Sequence, residues 1–278
     1  MRGALNRGFS KKVTYNFNTG TYSFKISTSS EAAQIWFDRG LIWAYGFHWE
    51  EAVICFKEAV KGDPKCAMSW WGVAYAVGPY YNRMWHQLDE IELSNVLIEC
   101  FQASQTALKL CNEATPLEKD LIFSLTKRHP SDQAPEDFSL WNDSYAQAMR
   151  DMNKKYPNNP DVSSLFAEAI MSRTPWQLWD LNTGLPKEGA STIEAKETLE
   201  NAIDNVERNG SHPHAGLLHY YIHVMEMSPT PEAALRAGDL MRTLVPDCGH
   251  LLHMPTHIDF QCGNYNDVVT RNSEAIEA

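Results

Sequence analysis

Small, large and proline residues recur at fixed intervals in this chain, and their spacing limits the folds that it can adopt. Counted from Ala33 as position 1, these residues occupy positions 4, 8, 20, 24, 27 and 32, and they are Trp36, Gly40, Ala52, Phe56, Ala59 and Pro64. Small residues let two helices cross closely, large residues fill the gap between them, and proline ends the second helix. The pattern predicts an all-α fold built from helical hairpins that repeat about every 34 residues.

The same register returns in the last third of the chain. Counted from Ala215, Ala234 takes position 20 and Pro246 takes position 32, and the next unit begins at Gly249. Between these regions, helical periodicity predicts helices at 67–77, 90–112, 116–127, 138–155, 162–171 and 193–209. Residues 174–193 are too long for a turn between repeats, so we expect them to act as a lid over a functional site.

Two segments are predicted. Residues 1–30 are predicted to form an N-terminal arm or hairpin, because residues 13–27 alternate around Gly20 as in a short hairpin or an extended arm. Residues 31–278 form the helical solenoid. No polar capping helix follows the last unit, so we expect the chain to be a fragment or to be closed by a partner at its C-terminal end.

Four histidines occupy equivalent positions in the last two units. His219 and His223 are at positions 5 and 9 of one unit, and His253 and His257 are at positions 5 and 9 of the next. Residues four apart share a helix face, and neighbouring first helices lie roughly 10 Å apart, so the four imidazoles can meet at one metal ion. A hydrogen-bonded polar groove for an anionic ligand is the alternative interpretation.

Two glutamates accompany this predicted metal site. Glu226 lies one turn beyond His223, where it is either a carboxylate ligand or a partner that orients a ligand. Glu168, on the preceding inner helix, is a weaker candidate, and we assign both glutamates as catalytic. His212 and His214 are expected at the helix entry, His250 beside the groove, and His48, His86 and His129 at the surface.

Charge and composition exclude several classes of protein. The formal net charge of −11 argues against a nucleic-acid partner and against an anionic membrane surface. There is no apolar run of membrane-spanning length, no secretory signal and no C-x-x-C spacing, so we expect a cytoplasmic protein with reduced thiols. Phosphate-binding, nucleophile-elbow and H-E-x-x-H motifs are also missing from the sequence.

The spacing and motifs resemble the tetratricopeptide-repeat (TPR) family, and in particular large bacterial and fungal TPR proteins. The more specific motifs are HYYIH at 219–223 and GHLLHMPTH at 249–257, and the resemblance extends from about residue 24 to the end. Members of this group are usually longer. The resemblance implies the TPR-like fold and gives little indication of function.

We therefore expect a metal-dependent oxidase or oxygenase that acts on a small molecule and uses Fe or Cu, with Zn as a further option. A metal-dependent hydrolase would use the same ligands. The contrasting hypothesis is a non-enzymatic TPR scaffold that binds a protein partner or a second copy of itself. Inner positions of the first two units carry apolar residues, which favours a closed pocket over a peptide-binding track; they are Phe37, Leu41, Trp71 and Tyr75.

Overall fold

The computed structural model describes residues 15–278. The regular secondary structure of that part of the chain consists entirely of helices. The thirteen α-helices of these residues are α1 (Glu31–Tyr45), α2 (Trp49–Gly62), α3 (Ala67–Val77), α4 (Glu90–Leu110), α5 (Pro116–Arg128), α6 (Ser139–Lys155), α7 (Pro160–Met171), α8 (Thr192–Arg208), α9 (Ala215–Met225), α10 (Leu235–Met241), α11 (Gly249–His253), α12 (Pro255–Gln261) and α13 (Tyr265–Glu277). The all-α prediction is confirmed, and the fold is a TPR-like array of helical hairpins.

Residues 15–30 form an extended arm without strands rather than a hairpin. The arm packs against the first hairpin, where Phe24 and Ile26 are buried and the Phe24 amide donates a hydrogen bond to Asp38. Residues 1–14, the first part of the predicted arm, lie outside the described residues.

The spacing of small and large residues in the repeat is explained by the packing of α1, α2 and α3. The Phe56 ring lies between Gly40 and Gly72. A Cβ atom added at Gly40 would come within 2.8 Å of that ring, and one added at Gly72 would come within 2.2 Å. Any larger side chain would push these helices apart, since real Cβ contacts are not this short. The small and large residues of the pattern therefore serve the roles that the sequence predicts.

The array curls tightly enough for α1 to contact α9. All of α9 and residues 161–171 of α7 are buried. Tyr45, Tyr75 and Tyr220 are fully buried among the inner helices. The inner side of the array is therefore packed like a protein core.

The C-terminal third is less regular than the sequence predicts. Pro255 has no amide hydrogen, so the expected first helix of the last unit is divided into α11 and α12. In the preceding unit, a short 3₁₀ turn precedes α10. All six cysteines are free thiols, and no helix among the described residues has the length and apolarity needed to cross a membrane.

Candidate metal centre

Three histidine rings meet where α9 packs near the start of α11. His219 and His223 lie four residues apart on the buried helix α9, and His250 lies in the first turn of α11. One ring nitrogen from each of the three lies within 4.8 Å of the others. We call these three residues the inner cluster.

Hydrogen bonds fix the tautomer of the two buried rings. The Tyr45 carbonyl lies 2.5 Å from Nδ1 of His219, and a carbonyl oxygen only accepts, so His219 carries its proton on Nδ1. The Glu226 carboxylate lies 2.9 Å from Nδ1 of His223 and imposes the same tautomer. In both rings the lone pair on Nε2 therefore points into the cluster.

One of the separations between these nitrogens matches that of two ligands on one metal ion. Nε2 of His219 and Nε2 of His250 are 3.2 Å apart. Two nitrogens bound to one tetrahedral ion at about 2.0–2.1 Å would lie roughly 3.3 Å apart. Nε2 of His223 is buried and has no hydrogen-bond partner among the described residues, so one ligand atom is left unused by the protein itself. An unpaired buried polar atom is costly, and a bound cation would remove that cost.

Burial keeps these imidazoles in the form that binds metals. It lowers the pKa of His219 well below its usual value, and the nearby rings of His223 and His250 lower it further. The pKa of His250 falls to about 3 for the same reasons, burial first and neighbouring histidines second. Neutral rings offer lone pairs at pH 7 without first losing a proton.

Glu226 supports the cluster from behind. One carboxylate oxygen accepts from His223 and the other accepts from His257. Burial alone would raise the pKa of Glu226, but the hydrogen bonds and charges of these two histidines outweigh it and lower the pKa to about 2. The carboxylate contacts Nδ1 atoms, so its geometry is that of an orienting partner, one of the two roles that the sequence left open.

Strained aromatic residues form the walls of the cluster. Phe47 and Trp176 are the two non-glycine residues with positive φ in the described part of the chain, at 57° and 61°. The Phe47 ring lies 4.5 Å from that of His219, and the Trp176 ring lies 5.7 Å from that of His223. Such backbone costs about 1–3 kcal/mol per residue and tends to occur at functional sites. Trp176 belongs to the predicted lid segment, which therefore does reach the site.

The predicted ligands fall into two groups rather than one. His253 and His257 contact each other through Nε2 atoms 2.8 Å apart, while His219 and His223 meet His250 instead. His250 was not assigned as a ligand. His250 lies in the first turn of α11, ahead of the helix break at Pro255, so helix spacing from His253 and His257 does not place it with His219 and His223.

Other predicted residues lie elsewhere in the fold. Glu168 is buried in an ion pair with Arg128, at 3.1 Å, and also accepts from Ser172, so its partners are not histidines. His214 begins α9, where its side chain accepts from the Leu217 amide.

Three histidines were predicted at the surface. His48 and His86 are exposed as expected. The surface prediction for His129 is wrong, because its side chain is fully buried where α5 ends.

Comparisons with known proteins add a general likeness. No protein-family model matches the chain, and no curated protein sequence matches it significantly. Among solved structures, the crystal structure of the yeast Tom70 is similar, with a TM-score of 0.43 and 11% sequence identity. That alignment covers 95% of this chain and 63% of the Tom70 chain, so this chain spans less than two thirds of its length. A structural similarity this low gives no information about function.

Proposed function

We propose that this TPR-like chain binds a divalent transition metal through His219, His223 and His250, and that the metal serves an oxidase or oxygenase acting on a small molecule. The observation that carries the proposal is the convergence of three ring nitrogens in one buried cluster. Two of the rings are held from behind by acceptors on Nδ1. Nε2 of His223 has no partner among the described residues, and Nε2 of His219 has only Nε2 of His250.

The surroundings support a reacting centre rather than a purely structural ion. A structural zinc site has four protein ligands, whereas catalytic sites commonly keep three and leave one position open. Phe47, Tyr81 and Trp176 place aromatic rings around His223. Fe or Cu bound here would supply one-electron and oxygen chemistry, for which imidazole ligands are suitable.

Elemental analysis tests this proposal. The protein is purified without a histidine tag or chelator, and metal per chain is compared with that of the variant H219N/H223N. Asparagine keeps an N–H near the position of Nδ1 and deletes Nε2, so the bonds to Tyr45 and Glu226 are retained. We expect the variant to hold about one tightly bound metal per chain fewer than the wild type. Equal metal content in both proteins would reject the site.

The identity of the metal separates the two enzymatic hypotheses. Stoichiometric iron or copper, with metal-dependent oxygen consumption on a panel of small phenols and amines, supports the oxidase or oxygenase. Zinc would favour the hydrolase, since a zinc-bound water is a nucleophile near neutral pH.

A non-enzymatic scaffold is the second candidate function. The TPR-like fold supports it without any catalytic step, since such arrays often bind protein partners. The inner helices α7 and α9 are buried along their length, so a partner would bind outside them. Helix α13 has no buried residue, and its Val269 and Ile276 are 69% and 86% exposed. Light scattering tests self-association: we expect V269D/I276D to dissociate an oligomer that uses this face. A wild-type chain that is already monomeric would exclude the second-copy version.

A further inference from the structure

His253 and His257 form a separate pair beside the inner cluster. His253 ends α11 and His257 lies in α12, so the pair spans the helix break at Pro255. Both rings are partly exposed and line a cavity of about 400 Å³. The inner cluster uses neither ring, and the remaining question is what the two Nε2 atoms bind.

The tautomer of each ring follows from its partner. The amide nitrogen of Asn272 donates to the Val268 carbonyl, which turns the amide oxygen towards Nδ1 of His253 at 2.6 Å. His253 therefore donates from Nδ1. The Glu226 carboxylate accepts from Nδ1 of His257 in the same way. Both Nε2 atoms are left with lone pairs when the rings are neutral.

Two lone pairs face each other at a short distance. The Nε2 atoms of His253 and His257 are 2.8 Å apart. Neutral rings with these tautomers repel at that separation unless a cation lies between them. Two nitrogens at about 2.0–2.1 Å from one ion, with a 90° angle between the bonds, would lie roughly 2.9 Å apart. The pair therefore has the spacing of adjacent ligands on a tetragonal or octahedral ion.

Glu226 connects the pair to the inner cluster. Its two oxygens hold His223 of the inner cluster and His257 of the pair, whose ring centroids are 6.4 Å apart. One buried carboxylate therefore orients a ligand in each group. Its negative charge also offsets part of the repulsion between two nearby cations.

We propose that His253 and His257 hold a second divalent transition metal ion, so that this chain carries a two-metal centre joined through Glu226. The inference rests on the proposed function, because it adds an ion to the centre described above. The second ion has only two protein ligands, so its remaining positions face the cavity.

The cavity indicates what approaches this second ion. Its wall includes Trp176, Met227, Phe260 and Val268, which are apolar or aromatic. The polar groups in the wall include Thr256 and Asn272. A small, mainly apolar molecule with one oxygen or nitrogen donor fits these walls, with its donor atom directed at the metal.

Equilibrium dialysis against Zn²⁺, with zinc per chain read by mass spectrometry, tests the inference. The wild type, H219N/H223N and H253N/H257N are compared, and circular dichroism checks that each variant is helical. H48A/H86A removes two exposed histidines and serves as the matched control. We expect two zinc ions in the wild type and in the control, and one in each of the other variants.

Other outcomes overturn the inference in distinguishable ways. One ion in the wild type that H253N/H257N retains would mean that the pair shares a proton rather than a metal. One ion that either double variant abolishes would mean that all five histidines share a single site. Both results leave the proposed function standing, whereas no zinc in the wild type would reject it as well.

Discussion

Two buried histidine and carboxylate groups involve α9, and they differ in how the ring nitrogens are used. At the start of the helix, His214 accepts from the Leu217 amide with Nδ1 and donates to Asp161 with Nε2, 3.2 Å away. Further along, His223 uses only Nδ1, towards Glu226, while His219 contacts Tyr45 with Nδ1 and His250 with Nε2, 3.2 Å away. Asp161 and Glu226 are both buried acceptors of histidine protons.

The difference separates a structural histidine from a candidate ligand. Both nitrogens of His214 have protein partners, and Asp161 also accepts from Tyr22 and Tyr45, so this group joins the arm, α1, α7 and α9. In the inner cluster, the Nε2 lone pairs converge and the one on His223 has no partner among residues 15–278. Burial and a nearby carboxylate are common to both groups, so the direction of the second lone pair is what distinguishes them.

Removing the converging nitrogens gives the largest expected effect. In H219N/H223N the dissociation constant for Zn²⁺ at the inner cluster should rise by more than about 100-fold, since even the loss of an orienting partner costs 10–100-fold. Competition with a chromophoric chelator measures it. H214N, which alters the structural histidine, is the control and should bind zinc within tenfold of the wild type. If zinc affinity fell equally in both variants, His219 and His223 would not differ from the structural histidine His214 as metal ligands.

Removing the structural carboxylate should affect stability instead. D161A leaves His214, Tyr22 and Tyr45 without their shared buried acceptor, and each such group costs about 1–3 kcal/mol. We expect the free energy of unfolding of the metal-free protein to fall by about 3 kcal/mol, measured by urea denaturation. D151A, at an exposed site on α6, should change it by less than about 0.5 kcal/mol.

Glu226 should affect metal binding more than folding. E226Q has one acceptor oxygen in place of two, so either His223 or His257 loses its acceptor. We expect zinc affinity to fall about 10–100-fold, as measured by calorimetry. E232Q, at an exposed glutamate, is the control and should bind as the wild type does. An unchanged affinity in E226Q would mean that the carboxylate does not orient the rings.

The pH dependence of stability should show the smallest effect. Burial raises the pKa of Asp161, but its interactions with His214, Tyr22 and Tyr45 outweigh burial and lower it below the usual 3.8. A lowered folded pKa gives stability that is present above pH 3.8 and is lost as the pH falls through the folded pKa. The difference in unfolding free energy between wild type and D161A should therefore be present at pH 5. Below pH 3.8 it should shrink, and a difference that grows there would contradict this assignment.

Much of the fold follows from local sequence, because hairpin packing repeats the same small and large residues. Gly40 and Phe56 meet as the register predicts. The division of the ligands into two groups was not predictable in this way. It arises from the break before Pro255 and from His250 in the first turn of α11, which a straight-helix projection does not represent. The ion pair of Glu168 with Arg128 depends on two helices distant in sequence, so the position of Glu168 alone could not show it.

Anomalous diffraction from crystals grown with Zn²⁺ tests the central claim most directly. Data collected on both sides of the zinc absorption edge locate the ion without reference to activity. We expect a peak at about 2.0–2.1 Å from Nε2 of His219, His223 and His250. Zinc peaks confined to exposed histidines such as His48 and His86, with none in the inner cluster, would contradict it.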